Sequence, residues 1–254
     1  AVAAGLAKTG HVPFATTYGV FATRRAYDFI AIACAHSAAN VKIMAGLPGL
    51  TTGYGGTHQA IEDLALMRMI PGLTVIDPCD ATEIAQATRA VADHDGPVYM
   101  RLLRGQVPRV LDPDQYRFEI GRAAILREGS DVALVSTGLM TERAVDAAAM
   151  LEREGISTGV LHMPTLKPFD AQAVAAFCDR AAAVVTAENH VTQGGLGSQV
   201  AEVLFDAGVM RPMRRVGISD AFVELGAVAT LFDRAGMGAA DIAARARQAL
   251  GVTG

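Results

Sequence analysis

The stretch Gly49-Leu-Thr-Thr-Gly-Tyr-Gly-Gly-Thr-His-Gln59 decides how this chain is organised. Its four glycines allow the backbone to take a positive φ or to approach a ligand closely. The apolar run 41–47 before the loop predicts a strand, and the pattern of 59–70 after it predicts an amphipathic helix. A glycine-rich loop between a strand and a helix is a common ligand site in α/β proteins. The alternative is a flexible connection that happens to contain a histidine.

Strand and helix patterns alternate on both sides of this loop, up to about residue 103. The strands are predicted at 11–17, 41–47, 73–77 and 97–103, and the helices at 24–34, 59–70 and 80–94. We expect the helix at 24–34 to be buried, because its apolar residues lie on most of its surface. Asp80 and Glu83 form a capping-box pattern at the start of the third helix. This alternation predicts a parallel sheet covered by helices on both faces.

The alternation stops at residues 105–121, where prolines and scattered charges indicate a linker, and then resumes. The strands of the second half are predicted at 131–136, 157–162, 182–187 and 214–218, and its helices at 141–154, 170–179, 197–207 and 239–250. We therefore predict an α/β protein with two parallel-sheet, three-layer α/β/α domains in tandem. Their boundaries are predicted as 1–106 and 122–254, joined by a linker at 107–121.

The composition sets limits on the class of protein. The 254 residues suffice for two domains, and the content of 51% hydrophobic and 19% charged residues is typical of a globular core. A net charge of −4 without a basic run argues against nucleic acid as a partner. An apolar run long enough to cross a membrane is absent from the sequence. Three widely spaced cysteines, Cys34, Cys79 and Cys178, indicate reduced thiols in a cytoplasmic protein, and Cys34 and Cys178 fit core positions.

Several motifs in order resemble those of a known enzyme family. The glycine loop is followed by Glu62-Asp63 and by the run Met67-Arg-Met-Ile-Pro-Gly-Leu-Thr-Val-Ile-Asp-Pro78. Together with the segments 3–7, 21–28 and 101–105, these motifs resemble the pyrimidine-binding domain of the transketolase family. The second half resembles the transketolase C-terminal domain, so the resemblance covers essentially the whole chain. It implies the folds of those two domains, in that order.

The resemblance also implies residues that bind thiamine diphosphate. The residue that matches Phe21 stacks on the pyrimidine ring of this cofactor, and the one that matches Tyr18 flanks it. Arg24 is a further candidate beside the cofactor. From the residues alone, a core position is the commoner fate of a phenylalanine such as Phe21. An exposed arginine at a helix start is an equally plausible interpretation of Arg24.

Substrate contacts are implied for four residues. The resemblance makes His58 the catalytic histidine that contacts substrate, where the alternative is a hydrogen bond within its own loop. Arg104, and with less support Arg101, would grip a sugar phosphate, although an arginine at a strand end can equally pair with a structural carboxylate. Tyr54 stands where relatives carry an aspartate that reads the donor's hydroxyl configuration, so an unusual donor is expected. A metal site is not expected, because no second His or Cys lies at ligand spacing from His58.

Two features of the sequence indicate that part of the predicted cofactor site lies outside these 254 residues. The 254 residues contain no Gly-Asp-Gly segment followed by an asparagine, with which the family binds magnesium and the cofactor diphosphate. The resemblance implies that this domain was either cut away or belongs to a separate subunit, and the segments 23–28 and 49–53 look more like those of two-gene transketolases. The helix predicted at 1–7 has no residue to cap it, so we expect preceding chain that carries the cofactor-activating glutamate of relatives.

The prediction is therefore the cytoplasmic C-terminal subunit of a two-gene transketolase in a dimer of heterodimers. It would move a two-carbon ketol unit from a ketose phosphate to an aldose. The rivals are a 1-deoxy-D-xylulose-5-phosphate synthase-like fragment and a non-catalytic scaffold. Residues 188–190 and 194–195 are interpreted as a structural and subunit-contact region.

Overall fold

The computed structural model describes residues 1–252, which form two five-stranded sheets with helices packed against them. The strands of the first half are β1 (Phe14–Tyr18), β2 (Lys42–Gly46), β3 (Thr74–Ile76) and β4 (Val98–Leu102). The strands of the second half are β5 (Ala124–Arg127), β6 (Val132–Ser136), β7 (Thr158–His162), β8 (Thr165–Lys167), β9 (Ala183–Val191) and β10 (Met213–Ile218). The predicted fold class, two α/β domains in tandem, is confirmed.

Both sheets are parallel except at one edge, which the sequence did not predict. The first sheet has the order β1-β2-β4-β3-β8 and the second the order β10-β9-β6-β7-β5. β8 and β5 are the antiparallel edge strands. β8 follows the predicted linker in sequence but pairs with β3 of the first sheet, so the second half completes the first sheet. The predicted domain boundaries remain predictions.

The helices mostly follow the predicted positions. They are α1 (Val2–Ala7), α2 (Gly19–Thr23), α3 (Tyr27–Phe29), α4 (Asp63–Arg68), α5 (Ala81–Asp93), α6 (Met140–Arg153), α7 (Ala171–Asp179), α8 (Leu196–Asp206), α9 (Val228–Arg234) and α10 (Ala239–Leu250). Asp80 caps α5 by accepting a hydrogen bond from the backbone N–H of Glu83, as predicted. The Glu83 carboxylate accepts from the N–H of Cys79 rather than from that of Asp80, which differs from the usual capping box.

Two helix predictions in the first half are wrong. The continuous buried helix at 24–34 is replaced by a turn at 24–26, the short helix α3 and a π-helix, Ile30–His36. Phe29 and Ile32 are more than half exposed. The helix predicted at 59–70 begins only at Asp63. Residues 59–62 belong to the glycine loop instead, since Ala60 forms a β-bridge with Pro48 and its carbonyl accepts from the N–H of Gly49.

The apolar core runs through both halves. One cluster joins Leu64 and Met67 of α4 to Leu196 and Val200 of α8. The three cysteines are buried free thiols, as expected for Cys34 and Cys178 from their apolar patterns. Through residue 252, every helix falls short of the length or the apolarity that a membrane span requires.

Candidate active site

Four aromatic side chains from three parts of the first domain meet at the carboxyl ends of β1 and β2. The ring of Phe21, in α2, lies 5.7 Å from that of Tyr18 and 5.5 Å from that of His58. His58 is also 6.0 Å from Tyr18 and 5.6 Å from Tyr54, measured between ring centroids. The structure thus brings together Tyr18, Phe21, Tyr54 and His58, which the sequence analysis selected separately. We refer to these four residues as the aromatic cluster.

The cluster is open on one side. Tyr18 and Tyr54 are 43% and 53% exposed, whereas Phe21 and His58 are partly buried. The Nδ1 atom of His58 lies 2.9 Å from the hydroxyl oxygen of Thr57, so a neighbour within the loop orients the imidazole. Exposed aromatic rings held in mutual contact provide a surface on which another aromatic ring can stack.

Two arginines flank Phe21. Arg24 donates to both carboxylate oxygens of Glu62 and to the carbonyl of Gly56, at 2.8 Å for the latter. The hydrogen bond to Glu62 is the main cause that raises the pKa of Arg24. Arg25 lies over one face of Phe21, with its Cζ atom 4.3 Å from the ring centroid. Arg24 therefore fixes the glycine loop to α2, and its proposed contact with a cofactor remains a prediction.

Arg104 lies beside the ring of Tyr54. Its side chain is exposed, and its Cζ atom is 5.8 Å from the centroid of the Tyr54 ring. Arg104 and Tyr54 line one open groove of about 690 Å³, together with Thr51, Gln106 and, from the second half, Arg143. An exposed arginine at the rim of a groove is available to an anionic ligand.

Arg101 requires a correction. Its side chain is 1% exposed, and its guanidinium donates to both carboxylate oxygens of Asp63, to Asp77 at 3.2 Å and to the carbonyl of Asn189 at 3.3 Å. A fully buried guanidinium with these partners cannot reach a substrate, so the prediction of Arg101 as a substrate ligand is wrong. The alternative left open by the sequence, a pair with a structural carboxylate, is the one observed.

The pKa values of the two carboxylates that contact Arg101 are shifted in opposite directions. Burial would raise the pKa of Asp63, but the charge and hydrogen bonds of Arg101 outweigh it and hold that pKa below its usual value. Burial dominates at Asp77 and raises its pKa despite the same arginine. Arg101 thus stabilises the ionised form of Asp63 more than that of Asp77.

The segment Glu188-Asn189-His190 of β9 contacts the first domain through two of its residues. The Asn189 Oδ1 atom accepts from the N–H of Leu50 at 2.9 Å, and the His190 Nε2 atom accepts from the N–H of Ala65 at 3.2 Å. The first contact holds the start of the glycine loop, and the second holds α4, which follows the loop. The interpretation of this segment as structural agrees with these contacts, and its role in subunit contact stays a prediction.

Glu188 is buried inside the second domain. Its carboxylate accepts from the N–H of Leu196 at 2.7 Å and from that of Gly197 at 2.8 Å, at the start of α8. Burial raises the pKa of Glu188 to about 7, although the N–H donors of Gly197 and Leu196 oppose that shift. A Cβ on Gly195 would lie 1.9 Å from the Glu188 Oε2 atom, so only glycine fits at that position.

Within residues 1–252, one buried group has donor atoms close enough for a metal ion, namely Cys79, Glu83 and His162. The Glu83 carboxylate already accepts from His162 Nε2, from the hydroxyl of Tyr116 and from the N–H of Cys79. Burial raises the pKa of the Cys79 thiol, which disfavours the thiolate that binds metals. We interpret the group as a hydrogen-bonded contact between α5 and β7.

One segment at the site, residues 219–227 between β10 and α9, was not predicted from the sequence. The N–H of Gly226 donates to the carbonyl of Gly53 at 3.1 Å, and the ring of Phe222 lies 5.7 Å from the Cζ atom of Arg24. No helix or strand pattern marks this segment. Its only signal in the sequence is a pair of large apolar residues, Phe222 and Leu225, in an otherwise irregular stretch.

Comparisons with known proteins agree on one family. The model of the transketolase pyrimidine-binding domain matches residues 1–109, and that of the transketolase C-terminal domain matches residues 121–242. A putative uncharacterised transketolase family protein of Sinorhizobium fredii, y4mN, is 53% identical over 97% of this chain and 72% of its own length.

Two further similar proteins are described as a transketolase subunit and as a split-gene transketolase. The 6-deoxy-6-sulfo-D-fructose transketolase subunit SqwH of a Clostridium species is 42% identical over 97% of this chain and 76% of its own. A solved structure of a split-gene transketolase, described as an inactive beta4 tetramer, is 44% identical, with a TM-score of 0.92 over 99% of this chain and 80% of its own.

We expect Arg101→Met to lower the free energy of unfolding by about 3–5 kcal/mol, because it leaves two buried carboxylates without their cation. Urea unfolding followed by circular dichroism measures this change. The control is Arg180→Met, which removes an ion pair whose side chains are 53% and 67% exposed. Such exposed pairs contribute about 0–1 kcal/mol. Equal losses in the two variants would contradict the structural role of Arg101.

A second prediction concerns the pH dependence due to Glu188. Its folded-state pKa of about 7 lies above the ordinary value of 4.5, so its stabilising contribution is complete below pH 4.5 and is lost as the pH rises through 7. At about 1.4 kcal/mol per pKa unit, the wild type should lose up to about 3 kcal/mol relative to Glu188→Gln between pH 4.5 and 8. Urea unfolding of both proteins across this range measures the difference. A difference that stays constant with pH would contradict the raised pKa.

Proposed function

The chain belongs to the transketolase family, and from this we propose that it is the C-terminal subunit of a two-gene, thiamine diphosphate-dependent transketolase. The reaction would transfer a two-carbon ketol unit from a ketose phosphate to an aldose. The observation that carries the proposal is the aromatic cluster, which joins residues of β1, α2 and the glycine loop at one open edge of the first sheet. The similar proteins described as a subunit and as a split-gene enzyme support it.

The residues of the cluster fit the pyrimidine half of the cofactor. Phe21 offers a partly buried ring for stacking, and the exposed Tyr18 borders it. Arg24, fixed by Glu62, would flank the bound ring. Thiamine diphosphate supplies an electron sink for the carbon–carbon bond chemistry, which no side chain supplies. The role of this chain is to hold and orient the pyrimidine ring.

The diphosphate half of the cofactor requires other residues. We propose that a partner subunit holds the diphosphate and its magnesium ion, which the similar proteins described as a transketolase subunit and as a split-gene transketolase support. We propose a cytoplasmic dimer of heterodimers in which the cofactor lies between the two kinds of subunit. The similar split-gene tetramer is described as inactive, which supports a requirement for a second subunit here.

Substrate binding is proposed for His58, Arg104 and Tyr54. Thr57 contacts Nδ1 of His58, which leaves Nε2 to form a hydrogen bond with the substrate. In the tautomer that carries the proton on Nε2, this atom would donate to a substrate oxygen. Arg104 would bind the anionic group of a sugar phosphate from the rim of the groove. Tyr54 lies between the two, in contact with both, and would face the hydroxyl groups of the donor.

Cofactor binding tests the proposal directly. The chain alone should bind thiamine diphosphate and magnesium weakly or not at all, and its complex with the diphosphate-binding subunit should bind them tightly. In the complex, Phe21→Ala should raise the dissociation constant about tenfold, as expected for lost stacking and buried area. Calorimetric titration measures both effects. The control is Phe14→Ala, which removes an exposed aromatic residue of β1 from outside the cluster. Submicromolar binding by the chain alone would contradict the split-subunit proposal.

Kinetics test the substrate residues. His58→Ala should lower kcat in the complex about 10- to 100-fold, because a hydrogen bond that strengthens in the transition state is lost. Tyr54→Asp should shift preference toward donors with the common pentulose configuration, because a direct polar contact discriminates hydroxyl placement better than apolar packing does. The measurement is kcat/KM for two donors that differ at one hydroxyl. An unchanged ratio of the two values in Tyr54→Asp would show that Tyr54 does not face the donor.

A further inference from the structure

The segment 219–227 of the second domain lies across the glycine loop of the first, and we call it the strap. It connects β10 to α9 and has no regular secondary structure. The N–H of Gly226 donates to the carbonyl of Gly53 at 3.1 Å, which is a direct backbone bond between the strap and the glycine loop. The strap therefore touches the loop that carries Tyr54 and His58.

The glycines of the loop show how closely the strap approaches. A Cβ on Gly53 would lie 2.0 Å from the carbonyl oxygen of Gly226. A Cβ on Gly56 would lie 3.0 Å from Cδ1 of Phe222, and one on Gly55 would lie 3.2 Å from a methyl carbon of Leu225. Three glycines of the loop are thus packed under three residues of the strap.

The backbone angles separate two reasons for glycine in this loop. Gly49 and Gly55 have positive φ values of 55° and 73°, which side chains rarely adopt. Gly53 and Gly56 have no such angle. Their lack of a side chain is explained by the approach of the strap, so the glycine pattern of the first domain fits a contact with the second.

The strap also reaches the groove beside the aromatic cluster. Phe222 lines an open groove of about 450 Å³ with Phe21, Arg24 and Thr57. Phe222 and Leu225 are 75% and 73% exposed, so the remainder of the chain buries little of either side chain. Phe222 and Leu225 therefore contact the loop glycines at the protein surface and contribute little to the apolar core. Contacts of this kind can position the loop without being required for the fold.

We propose that the strap is a positioning element of the active site, which holds the glycine loop so that Tyr54 and His58 face the substrate. The inference rests on the proposed function for what the loop does, and on the contacts above for how it is held. Residues 219–227 act through the loop and are positioning residues, since none of them is assigned a contact with reacting atoms. The second domain thereby takes part in catalysis without contributing a catalytic side chain.

Two variants release the strap from opposite sides. Gly53→Ala places a methyl group against the carbonyl of Gly226, at a position without backbone strain. The double variant Phe222→Ala/Leu225→Ala removes the strap side chains that cover Gly55 and Gly56. The matched controls are Gly5→Ala, where a Cβ meets no atom within 4 Å, and Phe205→Ala/Met210→Ala, which removes two side chains that are 77% and 75% exposed elsewhere in the second domain.

The first readout is amide hydrogen exchange of the full chain, measured on peptides that cover 51–58 and 219–227. Both strap variants should raise exchange in these two segments about tenfold or more, while the controls leave it unchanged. The second readout is steady-state kinetics of the complex with the diphosphate-binding subunit. Both strap variants should lower kcat about 5- to 20-fold, as expected for a misplaced catalytic group, with the cofactor dissociation constant unchanged within about twofold.

The possible results distinguish a failure of the strap inference from a failure of the proposed function. Unchanged exchange at 51–58 in both strap variants would overturn the inference, whatever the activity. Faster exchange with an unchanged kcat would also overturn it, because the loop would then need no positioning. Ketol transfer that is absent even from the wild-type complex contradicts the proposed function alone, and exchange at 51–58 would still test the contact.

Discussion

The contact on which the two halves most depend is the buried guanidinium of Arg101. It lies between Asp63, at the start of α4, and Asp77, just after β3, and also donates to the carbonyl of Asn189 in β9. Such a cation is costly to bury, so it is retained only where its partners are fixed in excellent geometry. The three partners come from a helix start, a strand end and the other domain. The relative position of these elements is thereby fixed directly below the glycine loop.

The candidate site combines buried contacts that hold the glycine loop and α4 with exposed aromatic side chains. Below, the loop is attached through Leu50 to Asn189, and α4 is attached through Ala65 to His190. Above, Tyr18 and Tyr54 remain about half exposed. Rigid support from a second layer of contacts is what holds binding side chains within a fraction of an ångström of a productive geometry. In this chain the second domain supplies that support.

Much of this arrangement could be predicted from the sequence, because it follows from local patterns. Alternating strands and helices predicted the two α/β domains, and residues just after parallel strands had to meet at one edge, as Tyr18, Phe21 and His58 do. Arg101 and Arg104 could not be distinguished in this way. Both lie at the end of β4, and only the partner 38 positions earlier in sequence, Asp63, shows that Arg101 is structural.

Other features escaped prediction because they depend on contacts between distant segments. β8 has three residues and takes its place only by pairing with β3, and the strap has no pattern apart from its contact with the loop. The apolar composition of residues 24–34 predicted a buried helix. The chain instead forms a π-helix at Ile30–His36 that leaves Ile32 exposed. Apolar periodicity predicts which residues can be buried, whereas the available packing partners decide which are.

The same long-range contacts indicate where this chain could not be divided in two. β8 completes the first sheet, Asn189 and His190 hold its glycine loop, and the strap covers that loop. A division between the two domains would leave β3 as an unpaired edge strand and Arg101 without one of its acceptors, the carbonyl of Asn189. The open side of the aromatic cluster has none of these dependencies. A second subunit can meet the chain there without breaking a buried contact, which is why we place the proposed partner on that side.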